Sequence, residues 1–312
     1  MTDYSRKPLI IFIIISFISA CGGSDSPTTE SNLPPPIAYT CGLLAVNETC
    51  IALDMPDNFS NERHFILNSP ALIAENSPLF IVLHGSGRRA DETVDRFNFR
   101  DFIKQHGFIG AFPNAIIRDD GVSTWNAHDE TYAIPHIDDV SFISALIAKV
   151  VSDYKVDANN VFIFGWSNGG FMANRLACEI PEHVTAIYTL AGNLRSELNS
   201  CSLAGNVAIH HLHATGDTTV PFEGDESHGY ISADEAIARW VAFNRCELTP
   251  FITLPFDLTS DEVGDESISY FYQNCDAPTD FTVIAGSDHG PDFHNDILHQ
   301  QLLGFYQKSH QP

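Results

Sequence analysis

A chain of 312 residues, 44% apolar and 18% charged, is long enough for one large α/β domain at about 100–200 residues per domain and too apolar for intrinsic disorder. Its 16 basic and 40 acidic side chains leave a formal charge of −24, a field that repels phosphate backbones and anionic lipid. Nucleic acid is therefore not expected as a partner, and any membrane attachment needs a local device.

The N-terminus offers one. Arg6 and Lys7 precede the apolar run from Leu9 to Phe17, which has signal-peptide length and is too short to span a bilayer. The run ends Ile18-Ser19-Ala20-Cys21, which resembles the bacterial lipobox, where a small residue precedes a cysteine that carries lipid after cleavage. The expected organisation is a lipoprotein signal peptide over 1–20, lipidated Cys21 with a Pro-rich tether over 21–37, and one folded domain over 38–312. Gly22 rather than Asp after the cysteine points, by the same resemblance, to the outer membrane or cell surface; secretion or the periplasm without an anchor is the alternative. Cys41, Cys50, Cys178, Cys201, Cys246 and Cys275 remain, an even number in an oxidising compartment, so disulfides are expected. Local spacing favours Cys41–Cys50, Cys178–Cys201 and Cys246–Cys275.

Short β-type runs then alternate with helical patterns, the signature of a mostly parallel central sheet flanked by helices, an α/β fold. Strands are predicted over 63–67, 79–83, 108–112, 161–164, 185–190, 208–213 and 281–284, and helices over 139–154, 169–179, 232–244 and 296–306. In the first helix Val140, Ile143, Leu146, Ile147 and Val150 recur at helical spacing. Asp138 and Asp139 stand where negative charge opposes the positive end of the helix dipole.

The apolar strand from Val161 to Phe164 leads into Gly165-Trp166-Ser167-Asn168-Gly169-Gly170 and a helix. That is Gly-x-Ser-x-Gly in a strand–turn–helix context, which marks Ser167 as a nucleophile. The turn is so tight that the residues flanking the serine must lack side chains. A serine hydroxyl needs a histidine to take its proton, and the imidazolium needs a carboxylate to orient and stabilise it. In the chain order Ser, acid, His, Asp217 after the strand 208–213 is the expected acid and His289, in the loop before the last helix, the expected base. Asp225, Asp288 and His294 compete, losing only on their position relative to strand ends. The backbone N–H groups of Ser86, after the strand 79–83, and of Asn168 are the expected oxyanion donors. His84, in the same turn as Ser86, is expected to be structural.

Leu83-His84-Gly85, Ser123-Thr124-Trp125-Asn126, Asp138-Asp139-Val140-Ser141-Phe142-Ile143, Leu176-Ala177-Cys178-Glu179 and His211-Leu212-His213-Ala214-Thr215-Gly216-Asp217 join the serine motif. Together they resemble the secreted poly(3-hydroxybutyrate) depolymerase and feruloyl esterase-like branch of the α/β-hydrolases, from about Arg63 to the C-terminus. The resemblance implies a serine carboxylic-ester hydrolase acting through an acyl-enzyme, without a cofactor, with Ser167, Asp217 and His289 as its triad. It also implies pairing of Cys246 with Cys275 and an aromatic, Trp125, near the mouth of the site. Trp166 is a second candidate for contact with substrate. The expected substrates are hydroxyalkanoate oligomers or feruloyl and acetyl esters of polysaccharides. The chain departs from the family at Ser86, where cysteine is frequent, at Trp166, where a slimmer aliphatic is usual, and at Gly290-Pro291, which lacks the nearby tryptophan. Two rival readings stand beside this one: a metal-dependent hydrolase using His211 and His213, and a non-catalytic lipid-anchored binding protein of the same fold. The oligomeric state is left open.

Overall fold

Leu79 to Leu83 and Val161 to Phe164 are apolar at every position, which suits strands covered on both faces rather than on one. In the computed structural model, which describes residues 41–55, 62–127, 137–196 and 207–310, these runs lie side by side at the centre of a ten-stranded sheet. The signal peptide and tether expected over 1–20 and 21–37, and with them Cys21, lie outside the described residues, as does Cys201 of the expected Cys178–Cys201 pair.

In chain order the elements are β1 (Glu48–Asp54), β2 (Glu62–Asn68), β3 (Ser77–Leu83), α1 (Ala90–Arg96), α2 (Phe99–His106), β4 (Ile109–Pro113), β5 (Ile116–Ile117) and β6 (Ser123–Thr124). They continue with α3 (Asp139–Tyr154), β7 (Val156–Trp166), α4 (Asn168–Glu179), β8 (Ala186–Leu190), β9 (Ala208–Ala214), α5 (Ala233–Phe243), β10 (Phe251–Ile252), β11 (Ser267–Phe271), β12 (Thr279–Ile284) and α6 (Asn295–Ser309). The sheet order is β1-β2-β4-β3-β7-β8-β9-β12-β11-β10. Neighbours from β4 through β12 run parallel, and antiparallel pairs close both edges. The expected mostly parallel sheet flanked by helices is therefore present, and all seven predicted strands belong to it.

Alternation along each strand divides the core in two. Leu79, Ile81, Leu83 and Ile163 face the side where α3, α4 and α5 contribute Phe142, Leu146, Met172, Leu176 and Trp240. Phe80, Val82, Phe162 and Phe164 face the other, with Phe99 and Phe102 of α2 and Leu298, Leu302 and Phe305 of α6. Rings crowd that second side: Phe80 lies 5.3 Å from Phe99, 5.4 Å from Phe102, 5.8 Å from Phe108 and 5.2 Å from Phe162 between centroids.

Asp139 does more than oppose a dipole. Asp138 is the residue that caps α3, accepting from the Ser141 N–H at 2.9 Å. The Asp139 side chain is fully buried and accepts from Arg63 at 2.6 Å and from the Asn126 N–H at 2.7 Å. Arg63, itself buried, lies 4.1 Å over the Phe142 ring, so the pair ties β2 to α3 and to the loop that carries Trp125. Two expected disulfides are formed, Cys41–Cys50 and Cys246–Cys275. The second joins the chain leaving α5 to the chain entering β12.

Candidate active site

The strand–turn–helix around Ser167 shows why the turn is glycine-rich. A side chain at Gly165 would collide with the carbonyl oxygen of Gly169, and one at Gly169 with that of Leu83. With the positions two before and two after it reduced to backbone, Ser167 is held at φ 56° and ψ −122° as the N-cap of α4, and its N–H is tied to Leu190 O of β8 at 2.8 Å. A non-glycine residue at positive φ is strained and persists only where its surroundings impose it.

Strand ends bring the remaining groups to this hydroxyl. Asp217 follows β9 and His289 follows β12, and these strands are parallel neighbours. His289 Nε2 lies 2.7 Å from Ser167 Oγ, and His289 Nδ1 lies 2.7 Å from Asp217 Oδ2. An ionised carboxylate only accepts, so Nδ1 carries the proton and Nε2 is free to accept from the serine hydroxyl. Asp217 Oδ1 accepts the N–H groups of Thr219 and Val220 at 2.9 and 2.7 Å. Burial works to raise the Asp217 pKa, but donation from His213 and His289 outweighs it and holds the carboxyl well below its usual range. Asp217 is ionised at neutral pH.

The competitors do other things. Asp288 Oδ1 accepts from the Thr218 N–H at 3.0 Å and the His289 N–H at 2.8 Å, bracing the loop without touching the imidazole of His289. Asp225 caps a short turn and lies 2.7 Å from His228 Nδ1. His294 sits at the start of α6, 3.4 Å from Asp257.

Ser167 opens onto a cleft of about 650 Å³ that Ser86 and Asn168 also line. Asn168 opens α4, where backbone N–H groups have no intrahelical acceptor. Its side chain meanwhile clamps the facing segment, accepting the Trp125 N–H at 2.7 Å and donating to Trp125 O at 3.2 Å. The indole N–H of Trp125, only 1% exposed, donates to His84 O at 3.0 Å, so the ring is packed against the His84 turn while Trp125 lines the cleft. His84 is buried; its Nδ1 lies 2.8 Å from Gly85 O and its Nε2 accepts the Ala115 N–H at 3.0 Å. Burial pushes its pKa down to about 4, which keeps Nε2 an acceptor and fixes the turn that presents Ser86. Trp166 does not line the cleft. It lies under the loop of His289, with its indole N–H donating to His289 O at 3.2 Å.

His211 and His213 share a face of β9, as alternation predicts, but their nitrogens already have protein partners. His211 lies 2.8 Å from Thr189 Oγ1 and 3.1 Å from Asn193 Oδ1; His213 lies 2.9 Å from Asn193 Oδ1 and 2.8 Å from Val220 O. Among the described residues no cluster of three metal-ligating side chains includes them. His213 Nε2 also sits 3.4 Å from Asp217 Oδ2, so it supports the acid. Other residues lining the cleft, including Arg118, Phe171, Arg195 and Tyr230, have no shared signal in the sequence because they come from α4 and from separate loops. There the Arg195 guanidinium lies 4.0 Å over the Phe171 ring.

Residues 64–213 match the family described as Esterase PHB depolymerase. A protein of Nocardia uniformis subsp. tsuyamanensis named as an esterase, NocK, is 31% identical over 239 residues, spanning 72% of this chain and 67% of its own. A protein of Aspergillus niger named as a feruloyl esterase C is 26% identical over 289 residues, spanning 89% of this chain and 88% of its own. Among solved structures, the acetyl xylan esterase from Aspergillus awamori superposes with a TM-score of 0.60 at 15% identity, covering 82% of this chain and 99% of that one, a likeness of fold. The chain thus belongs to the poly(3-hydroxybutyrate) depolymerase and feruloyl esterase-like α/β-hydrolases and is a carboxylic ester hydrolase.

Proposed function

We propose that the chain cleaves its ester through an acyl-enzyme on Ser167. The observation that carries this reading is the unbroken run of 2.7 Å contacts from Ser167 through His289 to Asp217. Ser167 Oγ attacks the ester carbonyl while His289 Nε2 takes its proton, and Asp217 stabilises the resulting imidazolium. The backbone N–H groups of Ser86 and Asn168 receive the carbonyl oxygen as it becomes an oxyanion. His289 then returns the proton to the departing alkoxide. Water activated by the same nitrogen attacks the acyl-enzyme, releasing the acid and restoring Ser167. Hydroxyalkanoate oligomers and feruloyl or acetyl esters of polysaccharides are the proposed substrates, on the strength of the named relatives and of a cleft larger than an acetyl group needs. Phenylmethylsulfonyl fluoride should abolish hydrolysis and add its sulfonyl group to the peptide bearing Ser167, while a chelator leaves the rate unchanged. Chelator-sensitive activity restored by zinc, with no serine labelled, would move the case to a metallohydrolase. A panel of the three ester classes ranks substrates by kcat/KM.

We also propose export as a lipoprotein, with residues 1–20 removed and the domain over 38–312 tethered by Cys21. The disulfides Cys41–Cys50 and Cys246–Cys275 suit an oxidising compartment. In a bacterial host, Cys21→Ser should leave the precursor unprocessed by the lipoprotein pathway, and intact mass of the wild-type protein should include the lipid. A mature protein with an unmodified Cys21 would end this proposal.

A further inference from the structure

Trp166 is bonded in sequence to Ser167 and in space to His289. Its ring is only 7% exposed and lies outside the cleft. Its indole N–H donates to the main-chain oxygen of His289 at 3.2 Å, and its ring centroid lies 6.1 Å from the imidazole of that residue. The other side of the indole is occupied too: the Phe97 ring meets it edge-on at 5.6 Å, and the Arg96 guanidinium lies 5.3 Å from its centre. Arg96 Nη2 reaches the same loop, donating to Gly290 O at 2.5 Å, Pro291 O at 3.2 Å and Asp292 Oδ1 at 3.2 Å. A side chain at Gly290 would stand 3.0 Å from Trp166 Cζ2, so the loop is seated directly on the indole.

We infer that Trp166, held by Arg96 at the end of α1, is a positioning residue that sets the distance between Ser167 and His289 by gripping the backbone of the base from the residue adjacent to the nucleophile. The chain after β12 turns through Gly286 and Ser287, both at positive φ; its ends are tied to Thr215, Gly216 and Glu262 and to Ser260 and Asp261, and no helix or strand lies between β12 and α6. Between those ends, Asp217 and Asp288 bond to His289, and Trp166 and Arg96 hold the backbone from His289 to Pro291. Proton transfer between Oγ and Nε2 depends on a separation of hydrogen-bond length, and small misplacements of reacting groups cost rate steeply. Loss of the indole bond should therefore appear in turnover rather than in binding, because the indole does not touch the cleft.

This inference rests on the reading of Ser167 and His289 as nucleophile and base, and the experiment separates the two. Trp166→Phe keeps an aromatic ring and removes the N–H donor; it should lower kcat about five- to tenfold, the rate equivalent of one hydrogen bond, with KM within about twofold. The rate at which a fluorophosphonate labels Ser167 should fall by the same factor, since that reaction needs the same proton transfer. Trp240→Phe is the control. Trp240 is another buried indole, donating to Asn174 Oδ1 at 2.9 Å and making no bond to this loop, and its replacement should lower the melting temperature while leaving kcat unchanged. Arg96→Met provides a second variant should Trp166→Phe not fold, with the same kcat loss expected. Because both residues grip one segment, the double variant should lose less than the product of the single losses. Unchanged kcat in Trp166→Phe and Arg96→Met, or an equal kcat loss in Trp240→Phe, overturns the inference while leaving the triad reading intact. Failure of the fluorophosphonate to label Ser167 in the wild-type protein overturns both.

Discussion

Ser167→Ala is expected to reduce kcat by about 10⁵- to 10⁶-fold, since removing one member of a nucleophilic triad disables the unit. The residue that remains cannot form the acyl-enzyme, and His289 is left with no proton to accept. Residual turnover would come from binding and from the N–H groups of Ser86 and Asn168 acting on attack by water. The fold should survive, because the helix and turn are set by Gly165, Gly169 and the Ser167 N–H bond to Leu190, none of which uses the hydroxyl. Matched circular dichroism spectra, with the melting temperature within a few degrees, establish that the loss is chemical. Activity within tenfold of wild type would show that another group carries the reaction.

How far the molecule could be read in advance depended on how local each signal is. Ser167 was legible because strand, glycines and helix are consecutive, and each glycine answers a collision that the structure displays. The central strands were legible because burial on both faces demands unbroken apolar runs. The helices α1 and α2 were not, since they span seven and eight residues and the break between them, Asn98 in a left-handed conformation, interrupts any helical period. The strands β1, β10 and β11 escaped for a related reason: they pair at the sheet edges, where part of each strand meets solvent and the apolar pattern thins. Asp139 shows the deeper limit. Its place at a helix start was readable, but its partner Arg63 lies 76 residues earlier, and no spacing rule connects them. Trp166 was singled out as a substrate contact, whereas its indole N–H found the main-chain oxygen of His289 and its ring lies outside the cleft, as buried indoles require a partner; Trp125, named through the family resemblance, does line the cleft although its indole N–H is spent on His84 O.

Asp217→Asn should lower kcat by about 10⁴-fold, the scale seen when a triad acid becomes its amide in a serine protease. The reason can be followed atom by atom. Asp217 Oδ1 receives two backbone N–H groups, while Oδ2 faces His289 Nδ1 and, at 3.4 Å, His213 Nε2. An asparagine oxygen left in the Oδ1 place turns its amide N–H groups toward His289, which must then present a lone pair at Nδ1 and carry its proton on Nε2, facing the serine it should deprotonate. The flipped amide restores the acceptor for His289 but sets its N–H groups against those of Thr219 and Val220. Both orientations cost, and neither stabilises an imidazolium. Asp225→Asn and Asp288→Asn should do far less, because those carboxylates bind His228 and the loop backbone rather than the imidazole of the base. Stability supplies an independent reading. The Asp217 carboxyl is held below its unfolded pKa, so its contribution is fully present above the ordinary carboxylate value of about 4 and is lost as pH falls through the folded value. Denaturant melts should accordingly show the largest gap between wild type and Asp217→Asn near neutral pH, narrowing on acidification. A gap that stays constant down to pH 2, or a greater loss of turnover at Asp225 or Asp288, would assign the acid elsewhere.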